Sequence, residues 1–331
     1  MIKIAVVIPY FQKQGGILRR ALESILAQEI SPNIKVEIII VDDGSPVPAK
    51  LEIEGLNFFA PFHLNLITQA NGGVAMARNT ALKAIDVTTK YIAFLDSDDT
   101  WHKDHLRKGI ESLEQSTDFY FCDNRRQGYH DSHFKKHPLI ASYTTKSSRD
   151  IDIIDITNEE LCTTILREFS TQASTVVYRR SIYPELLFDP DFILAGEDII
   201  FFLQLATKAQ NTKFSTNIMV DCGTVINLYF GSLGWDNPAH ISQVITNMKA
   251  HDTIKTQIPL SKENMRWVNT HIKALKHNIA FLTLRQFFKT KGKIPEEIKK
   301  LAHDDKTFYH WFPISIIQVI IGKSLGIYKP D

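Results

Sequence analysis

The sequence predicts an α/β fold in which a mostly parallel central sheet is covered by helices and is followed by a helical C-terminal region. The first observation is a pair of near-continuous apolar segments, Ile4–Phe11 and Val36–Val41, with the length and composition of strands buried on both faces. The second is the segment between them, in which apolar residues from Ile17 to Leu26 recur at helical spacing. Because strands continue to alternate with helices, a doubly covered parallel sheet is indicated.

Further elements of the α/β part follow in order along the chain. The predicted strands are Leu64–Thr68, Tyr91–Leu95, Asp118–Cys122, Ser174–Arg179 and a β pair, Phe214–Asp221 with Thr224–Phe230. The predicted helices lie between Gly73 and Ile85 and over His102–Glu114, Thr157–Phe169 and Ile199–Ala209. The polar region 124–150 lacks clear periodicity, and we expect a functional or mobile loop on the acceptor side of the site.

The α/β part is predicted to occupy residues 1–235, and a helical region follows over residues 236–331. Its predicted helices are His240–Lys255, Lys262–Lys289 and Pro295–Ala302. The last segment, Phe308–Tyr328, is apolar and aromatic but is interrupted by proline and glycine. Three alternatives stand for it: packing onto the core, lying on a membrane surface beside the lysines at 289–293, or forming a homo-oligomer contact.

Composition restricts the classes of function. The chain has 331 residues, of which 44% are hydrophobic, so it can bury a large core. A formal net charge of +1 gives no overall field that favours a nucleic-acid partner. Three widely spaced cysteines without a CxxC pair argue against a disulfide framework and against a zinc site. The start of the chain lacks a signal-peptide pattern and no segment is a confident membrane span, so we expect a cytoplasmic protein.

The segment Phe94–Trp101 places three carboxylates at the end of a predicted strand. Strand alternation directs Asp96 and Asp98 to one side and Ser97 to the other, so two anionic groups lie within reach of one cation. Neighbouring carboxylates raise one another's pKa, and a divalent cation relieves that repulsion. Oxygen ligands suit Mg²⁺ or Mn²⁺, which would bridge to a substrate diphosphate. The alternative is an acidic loop in which Asp99 or its neighbour caps the next helix.

Other polar residues are predicted to meet the acidic segment at one edge of the sheet. Pro9 ends the first strand, and Asp42 and Asp43 directly follow the second. In parallel α/β sheets, ligands bind beyond the carboxyl ends of the strands. We therefore expect these residues to share one binding site with the carboxylates at 96–99.

Five motifs occur in a fixed order along the α/β part: Val6–Phe11, Val41–Ser45, Gln69–Leu82, Phe94–Trp101 and Gly196–Asp198. Together they resemble the motifs of the family 2 glycosyltransferases with the Rossmann-like GT-A fold, of the kind that builds bacterial surface polysaccharides. One such motif is weak evidence, whereas five in register are specific. The resemblance implies a nucleotide-sugar donor, a Mn²⁺ or Mg²⁺ cofactor and inversion at the anomeric carbon by direct displacement.

On the donor side, the resemblance implies that Pro9 and Tyr10 line the nucleobase pocket. It also implies that Asp43 accepts a hydrogen bond from the base, with Asp42 in support. The alternative for both aspartates is a turn at a strand end, which the following glycine and serine would favour.

The resemblance assigns the next segments to the nucleotide as well. Asn71 and Gly72 belong to a turn whose glycines permit close approach of the backbone, and Arg78 on the following helix would point to the nucleotide. Ser97 would join these nucleotide contacts. The alternative for Arg78 is a solvated residue on a helix surface.

In the acidic segment, the resemblance implies that Asp96 binds the ribose and helps to hold the metal, whereas Asp98 ligates the metal directly. Asp99 would either assist the metal or cap the helix predicted to start near Trp101. Trp101 would form a wall for the donor or acceptor sugar, and a buried core tryptophan is the alternative.

An inverting transfer also requires a base that takes the proton from the acceptor hydroxyl. We assign this role to Asp198, at the predicted start of a helix whose dipole favours an ionised carboxylate. Glu197 would orient the acceptor. The alternative is that both are ordinary acidic residues in a first helical turn.

The resemblance therefore implies an inverting, metal-dependent glycosyltransferase that uses a UDP-sugar and a glycan or lipid-linked acceptor, and the apolar segment 308–328 with its nearby lysines adds the expectation of peripheral contact to the inner face of the membrane. A catalytically inactive nucleotide- or glycan-binding protein is the alternative. A phosphatase would carry the Asp-x-Asp pattern on its first strand, whereas two βα units precede it here. A sugar nucleotidyltransferase would carry a glycine-rich, arginine-containing loop after the first strand, and Pro9 to Gly16 does not provide one.

Overall fold

The computed structural model describes residues 1–126, 128–146, 152–192, 196–223 and 239–324. The strands in these ranges are β1 (Ile2–Tyr10), β2 (Ile34–Asp42), β3 (Phe62–Thr68), β4 (Tyr91–Phe94), β5 (Thr100–Trp101), β6 (Phe119–Arg126), β7 (Ile153–Ile156), β8 (Val177–Arg179) and β9 (Thr212–Cys222). The helices are α1 (Ile17–Leu26), α2 (Ala49–Ile53), α3 (Val74–Ala84), α4 (His105–Glu114), α5 (Pro138–Lys146), α6 (Asn158–Glu168), α7 (Glu197–Lys208), α8 (Ala239–Gln257), α9 (Lys262–Lys289), α10 (Glu296–Asp304) and α11 (Phe308–Ser324).

The described strands form one sheet in the order β3-β2-β1-β4-β8-β6-β9-β5, and β7 also pairs with β9. Strands β3, β2, β1 and β4 are mutually parallel, and β6 is parallel to β9. The antiparallel strand β8 joins these two parts, and short antiparallel strands pair with β9. The predicted α/β class, with a mostly parallel sheet covered by helices, is confirmed.

Apolar side chains cover both faces of the central strands. One face of the sheet packs against the buried residues of α1, which recur at helical spacing: Ile17, Leu18, Ala21, Leu22 and Ile25. A second cluster is aromatic, with Phe94 of β4 in edge contact with Phe188 and Phe201, whose rings stack 3.9 Å apart. Burial on both faces explains the continuous apolar sequence of the first strands. The polar motifs begin where these buried strands end.

Several local predictions differ from the structure. The helix predicted from His102 begins at His105, because Thr100 and Trp101 pair with β9 instead. The strand predicted from Ser174 begins at Val177, since residues 173–175 form a 3₁₀ turn. Short-range periodicity cannot reveal either feature, because both depend on pairing with distant strands.

The polar region 124–150 contains more regular structure than its sequence suggests. It includes the end of β6, a 3₁₀ turn at Phe134–Lys136 and the helix α5. Part of it, including Ser132 and Lys135, lines a cavity of about 620 Å³ together with His102. The predicted strand Thr224–Phe230 and the predicted boundary between residues 235 and 236 lie outside the described residues.

The chain divides into two compact units, the first with β1–β9 and α1–α7 and the second with α8–α11. In the second unit, α9 packs against both α8 and α11. The described part of the apolar segment predicted over Phe308–Tyr328 is the helix Phe308–Ser324, which contains Pro313 in its second turn, and residues 325–328 lie outside the described residues. None of the helices in the described ranges combines the length and apolar character needed to cross a bilayer.

Candidate active site

The ends of β1, β2 and β4 place the predicted donor residues at one edge of the sheet. In the parallel register, Pro9 pairs with Val41 and Tyr10 pairs with Asp42. Strand β4 ends at Phe94, so the acidic segment begins at the same edge. The common strand polarity therefore brings together motifs that are far apart in sequence.

Tyr10 and Asp42 are held inside this edge by hydrogen bonds to the chain that follows β2. The hydroxyl of Tyr10 donates to the carbonyl of Val47 at 2.7 Å, and burial raises the pKa of this phenol to about 12. The two carboxylate oxygens of Asp42 accept from the backbone N–H groups of Ser45 and Ala49 at 2.9 and 2.7 Å. Asp42 thereby fixes the turn after β2 and the start of α2, as the turn alternative has it, and its support of a base contact stays a prediction.

Asp43 organises the glycine turn before α3. Its Oδ1 accepts from the side chain of Gln69 at 2.7 Å and from the backbone N–H of Gly72 at 2.9 Å, and its Oδ2 accepts from Gly73 at 2.8 Å. The side chain of Asn71 donates to the carbonyl of Asp43 at 3.0 Å. The exposed turn at 71–72 is thus built on a buried carboxylate, and the predicted contact of Asp43 with a base stays a prediction.

Arg78 joins the two acidic motifs of the site. Its Nη2 donates to Oδ1 of Asp96 at 2.7 Å, and its Nη1 donates to Oε1 of Glu197 at 3.1 Å. The guanidinium is only 3% exposed and lies over the ring of Phe188. Although burial opposes the charge, Asp96 and Glu197 together raise the pKa of Arg78. The solvated alternative for Arg78 is therefore wrong.

Ser174, just before β8, contacts three residues of the acidic segment. Its hydroxyl accepts from the backbone N–H of Asp96 at 2.9 Å and donates to Oδ2 of Asp99 at 2.6 Å. Its carbonyl accepts from the indole N–H of Trp101 at 2.7 Å. One buried serine in a 3₁₀ turn thus fixes three positions of the acidic motif.

Gly223, directly after β9, lies against the same motif. Its backbone N–H donates to Oδ1 of Asp99 at 2.8 Å. A Cβ atom at this position would lie 2.4 Å from the carbonyl oxygen of Asp98 and 2.8 Å from its Oδ2. Only glycine allows this approach, so Gly223 sets the position of Asp98.

Asp99 is 2% exposed, and its partners are Ser174, Gly223 and the side chain of Gln172. It does not cap the following helix, for which Asp104 is the N-cap residue, so the capping alternative is wrong. Burial, with Asp96 and Asp98 nearby, raises the pKa of Asp99 well above its usual value.

Trp101 and Ser97 are both buried. The indole is 4% exposed and stacks on His105 with ring centroids 4.5 Å apart. These contacts match the core alternative for Trp101, and its contact with a sugar stays a prediction. The hydroxyl of Ser97 accepts from the side chain of Gln12 at 3.0 Å.

The Gly-Glu-Asp motif begins α7. Glu197 is buried beside Arg78, and burial followed by the charge of Asp198 raises its pKa to about 7. Asp198 is half-buried, and its Oδ1 accepts from the backbone N–H of Ile199 at 2.8 Å. Burial also raises the pKa of Asp198, whereas Arg78 opposes that rise. A carboxylate with a raised pKa is a stronger proton acceptor than an ordinary one.

The donor set of this site fits a hard divalent cation. Asp96 and Asp98 are partly exposed carboxylates next to the buried Asp99, and the mutual repulsion of such groups favours a bound cation. Among the side chains in the described ranges, no group of three or more histidine, cysteine or acidic residues is arranged as a metal site. Mg²⁺ and Mn²⁺ sites at diphosphates commonly use one or two carboxylates, and substrate oxygens complete the shell.

Four residues that contact the site were not found by sequence reasoning: Gln12, Gln172, Ser174 and Gly223. Ser174 and Gly223 lie 78 and 124 residues from their partners Asp96 and Asp99. No local motif marks them, and only the pairing of β8 and β9 with the rest of the sheet brings them to the acidic segment.

Comparison with known proteins gives independent results. Residues 5–183 match the model of the family described as glycosyl transferase family 2. The succinoglycan biosynthesis protein ExoW of Rhizobium meliloti (strain 1021) is 32% identical over 258 residues, which cover 77% of this chain and 79% of that protein.

Two solved structures share the fold at low sequence identity. The structure of S. aureus TarS 1-349 in complex with UDP-GlcNAc aligns with a TM-score of 0.58 and 16% identity over 98% of this chain and 84% of that one. The mannosyltransferase PcManGT from Pyrobaculum calidifontis, in complex with GDP-Man and Mn²⁺, aligns with a TM-score of 0.54 and 14% identity over 99% of this chain and 81% of that one. At these identities the likeness concerns the fold.

Proposed function

Because the chain belongs to glycosyl transferase family 2, we propose that it is an inverting, metal-dependent glycosyltransferase of polysaccharide biosynthesis. In this proposal it moves a hexosyl or N-acetylhexosaminyl group from a UDP-sugar to a hydroxyl of a glycan or lipid-linked acceptor. The relative that assembles succinoglycan, by its name, supports a role in polysaccharide assembly.

The observation that carries the proposal is the bridge made by Arg78. It contacts Asp96 of the acidic segment and Glu197 of the Gly-Glu-Asp motif, which are 101 positions apart. This contact supports the assignment of the candidate metal ligands and the candidate base, Asp198 beside Glu197, to one site. A transfer reaction needs this proximity, because the leaving diphosphate and the attacking hydroxyl lie on opposite sides of one anomeric carbon.

Asp198 is the proposed base. It is half-buried at the first turn of α7, where the helix dipole favours the ionised carboxylate. Its raised pKa strengthens it as a proton acceptor for the acceptor hydroxyl. Glu197, held by Arg78, would orient the acceptor rather than take its proton, because its Oε1 is already engaged by the guanidinium.

Asp96 and Asp98 would hold Mn²⁺ or Mg²⁺ together with the donor diphosphate. When bound, the ion neutralises charge that grows on the leaving diphosphate, a contribution of several kcal/mol in general. The chain itself positions the two carboxylates, through Arg78 and Ser174 at Asp96 and through Gly223 at Asp98. A neighbour of the same fold was solved with GDP-Man and Mn²⁺.

The donor nucleotide is proposed from the same edge of the sheet. In this proposal the base and ribose would be contacted by residues at the ends of β1 and β2 and in the turn before α3: Pro9, Tyr10, Asp43, Asn71 and Gly72. UDP is preferred because of the family resemblance, and a neighbour of this fold binds UDP-GlcNAc. The other neighbour holds GDP-Man, so GDP is the competing donor nucleotide. We further propose that the chain acts in the cytoplasm, peripherally at the inner face of the membrane, where a lipid-linked acceptor would be reached.

Calorimetric titration of the purified chain with UDP, GDP and dTDP, each with and without Mn²⁺, tests the proposal. We expect binding of one nucleoside diphosphate that requires the metal. Binding that is equally tight without metal would contradict the role of Asp96 and Asp98. Absence of binding for all three would favour the alternative of an inactive glycan-binding protein.

A further inference from the structure

Helix α11 is apolar around its whole circumference. Its buried residues are Phe308, Ser315 and Val319. The helix packs against α9, and the side chain of Gln318 contacts that of His277 of α9 at 2.5 Å. A helix that is hydrophobic all round is normally covered on all sides. In α11 only some of the apolar side chains are buried, whereas a stripe of them is exposed.

The uncovered stripe consists of isoleucines at helical spacing. Ile314, Ile317 and Ile321 are 56%, 56% and 52% exposed, and Tyr309 at the start of the helix is 73% exposed. Exposed isoleucines that recur every three or four residues form one continuous surface. Single exposed apolar residues need no explanation, but a contiguous stripe of them marks an interaction surface.

Two segments of this unit, one from Lys306 through α11 and one at the end of α9, carry basic residues only, whereas Asp304 and Asp305 precede the first of them. From Lys306 to Ser324 the sequence contains two lysines and no acidic residue. The end of α9 and the following turn repeat the pattern, since residues 285–295 carry one arginine and three lysines without an acidic residue, and Phe288 there is 76% exposed. A second copy of the chain would bring like charges together, whereas an anionic surface complements them.

We propose that the stripe of Ile314, Ile317 and Ile321, with the basic segment at the end of α9, docks on an anionic lipid bilayer. The isoleucines would enter the boundary between headgroups and acyl chains, and Lys291 and Lys293 would contact anionic headgroups. Tyr309, with an apolar ring and a polar tip, suits the same boundary. This inference deepens the peripheral location given under the proposed function and rests on it. The surface shares no residue with the proposed catalytic site, so vesicle binding can fail without any change in sugar transfer.

Flotation of the full chain with vesicles tests the proposal without donor or acceptor. We expect partition onto vesicles of phosphatidylcholine with phosphatidylglycerol and at least tenfold less onto phosphatidylcholine alone. The double variant Ile317→Gln/Ile321→Gln should lose at least tenfold in partition, because two apolar anchors are removed. The variant Lys291→Gln/Lys293→Gln should lose about fivefold per lysine on anionic vesicles only.

A matched control replaces equally exposed apolar residues of the first unit, in the variant Leu51→Gln/Phe59→Gln. It should bind vesicles like the unchanged chain, and circular dichroism should show the same helix content in all variants. Equal loss in the control, or no binding of the unchanged chain to anionic vesicles, would overturn the proposal. So would a dimer in analytical ultracentrifugation that the isoleucine variant abolishes, since the stripe would then be a contact between copies.

Discussion

Replacing Gly223 with alanine should displace Asp98 and thereby disable the proposed metal site. The added Cβ would lie 2.4 Å from the carbonyl oxygen of Asp98, whereas ordinary contacts begin at 3.4 Å. The backbone must therefore separate by about 1 Å at this point, and a misplacement of that size costs roughly 10²-fold in rate. Overpacking in general also costs about 1–3 kcal/mol of stability.

The assay for Gly223→Ala has two parts. Metal-dependent binding of the donor nucleotide, measured by calorimetry, should weaken, and the rate of sugar transfer should fall about 10²-fold. Gly55→Ala is the matched control, because Gly55 has a φ of 80° and the nearest atom to an added Cβ is 3.9 Å away. That variant is strained by roughly 1–2 kcal/mol but does not touch the site, so its folded fraction should transfer sugar normally. If Gly223→Ala stays folded and keeps binding and transfer within twofold, the contact does not position Asp98.

Three further predictions concern the charged groups of the site. Asp198→Asn should lower transfer by about 10²–10⁴-fold with nucleotide and Mn²⁺ binding intact, whereas Asp98→Asn should weaken metal-dependent nucleotide binding. Equal loss of nucleotide binding in both would contradict Asp198 as the base. Arg78→Met should move the acidic limb of the pH–rate profile to higher pH, because Arg78 lowers the pKa of Asp198 and that of Glu197, which is about 7. Arg78→Lys keeps the charge and should move the limb less. An unchanged limb in both variants would refute the effect of Arg78 on these two carboxyl groups. Ser174→Ala removes the donor to Asp99 and should weaken Mn²⁺-dependent binding, while Ser174→Thr, which keeps the hydroxyl, should restore part of it; equal loss in both would argue against the hydroxyl.

The sequence predicted the parts of the fold that depend on local patterns. The apolar strands that end at Tyr10, Asp42 and Phe94 were found, because burial on both faces leaves a continuous apolar run. The motif order also predicted that Arg78 and Asp198 share one site, and in the structure Arg78 contacts Glu197, the neighbour of Asp198. What the sequence did not reveal is which partner each polar group takes.

Local sequence patterns do not identify which residues of distant strands become hydrogen-bond or packing partners. Ser174 was assigned to a strand, although its hydroxyl supports Asp96 and Asp99 from a 3₁₀ turn. Gly223 carries no motif, and its importance follows only from the close approach of Asp98. The strand β5, at Thr100 and Trp101, exists because β9 is beside it, and short range propensity does not predict such pairing.

Burial divides the acidic residues of the site into two groups with different physical tasks. Asp42, Asp43 and Asp99 are 4%, 2% and 2% exposed, and each accepts two or more hydrogen bonds from the chain. These carboxylates hold turns and segments in place, and an asparagine at any of them would replace an acceptor with a donor that faces another donor.

Asp96, Asp98 and Asp198 are only partly buried, so they are the carboxylates that a cation or a substrate hydroxyl can reach. Arg78 is 3% exposed and balances part of their charge from inside the protein. The side of the site that faces solvent therefore keeps an excess of negative charge, which a divalent cation with its diphosphate would neutralise. This separation of buried carboxylates, which accept hydrogen bonds from the chain, from more accessible ones, to which we assign the chemistry, explains why a dense acidic cluster is compatible with a stable fold.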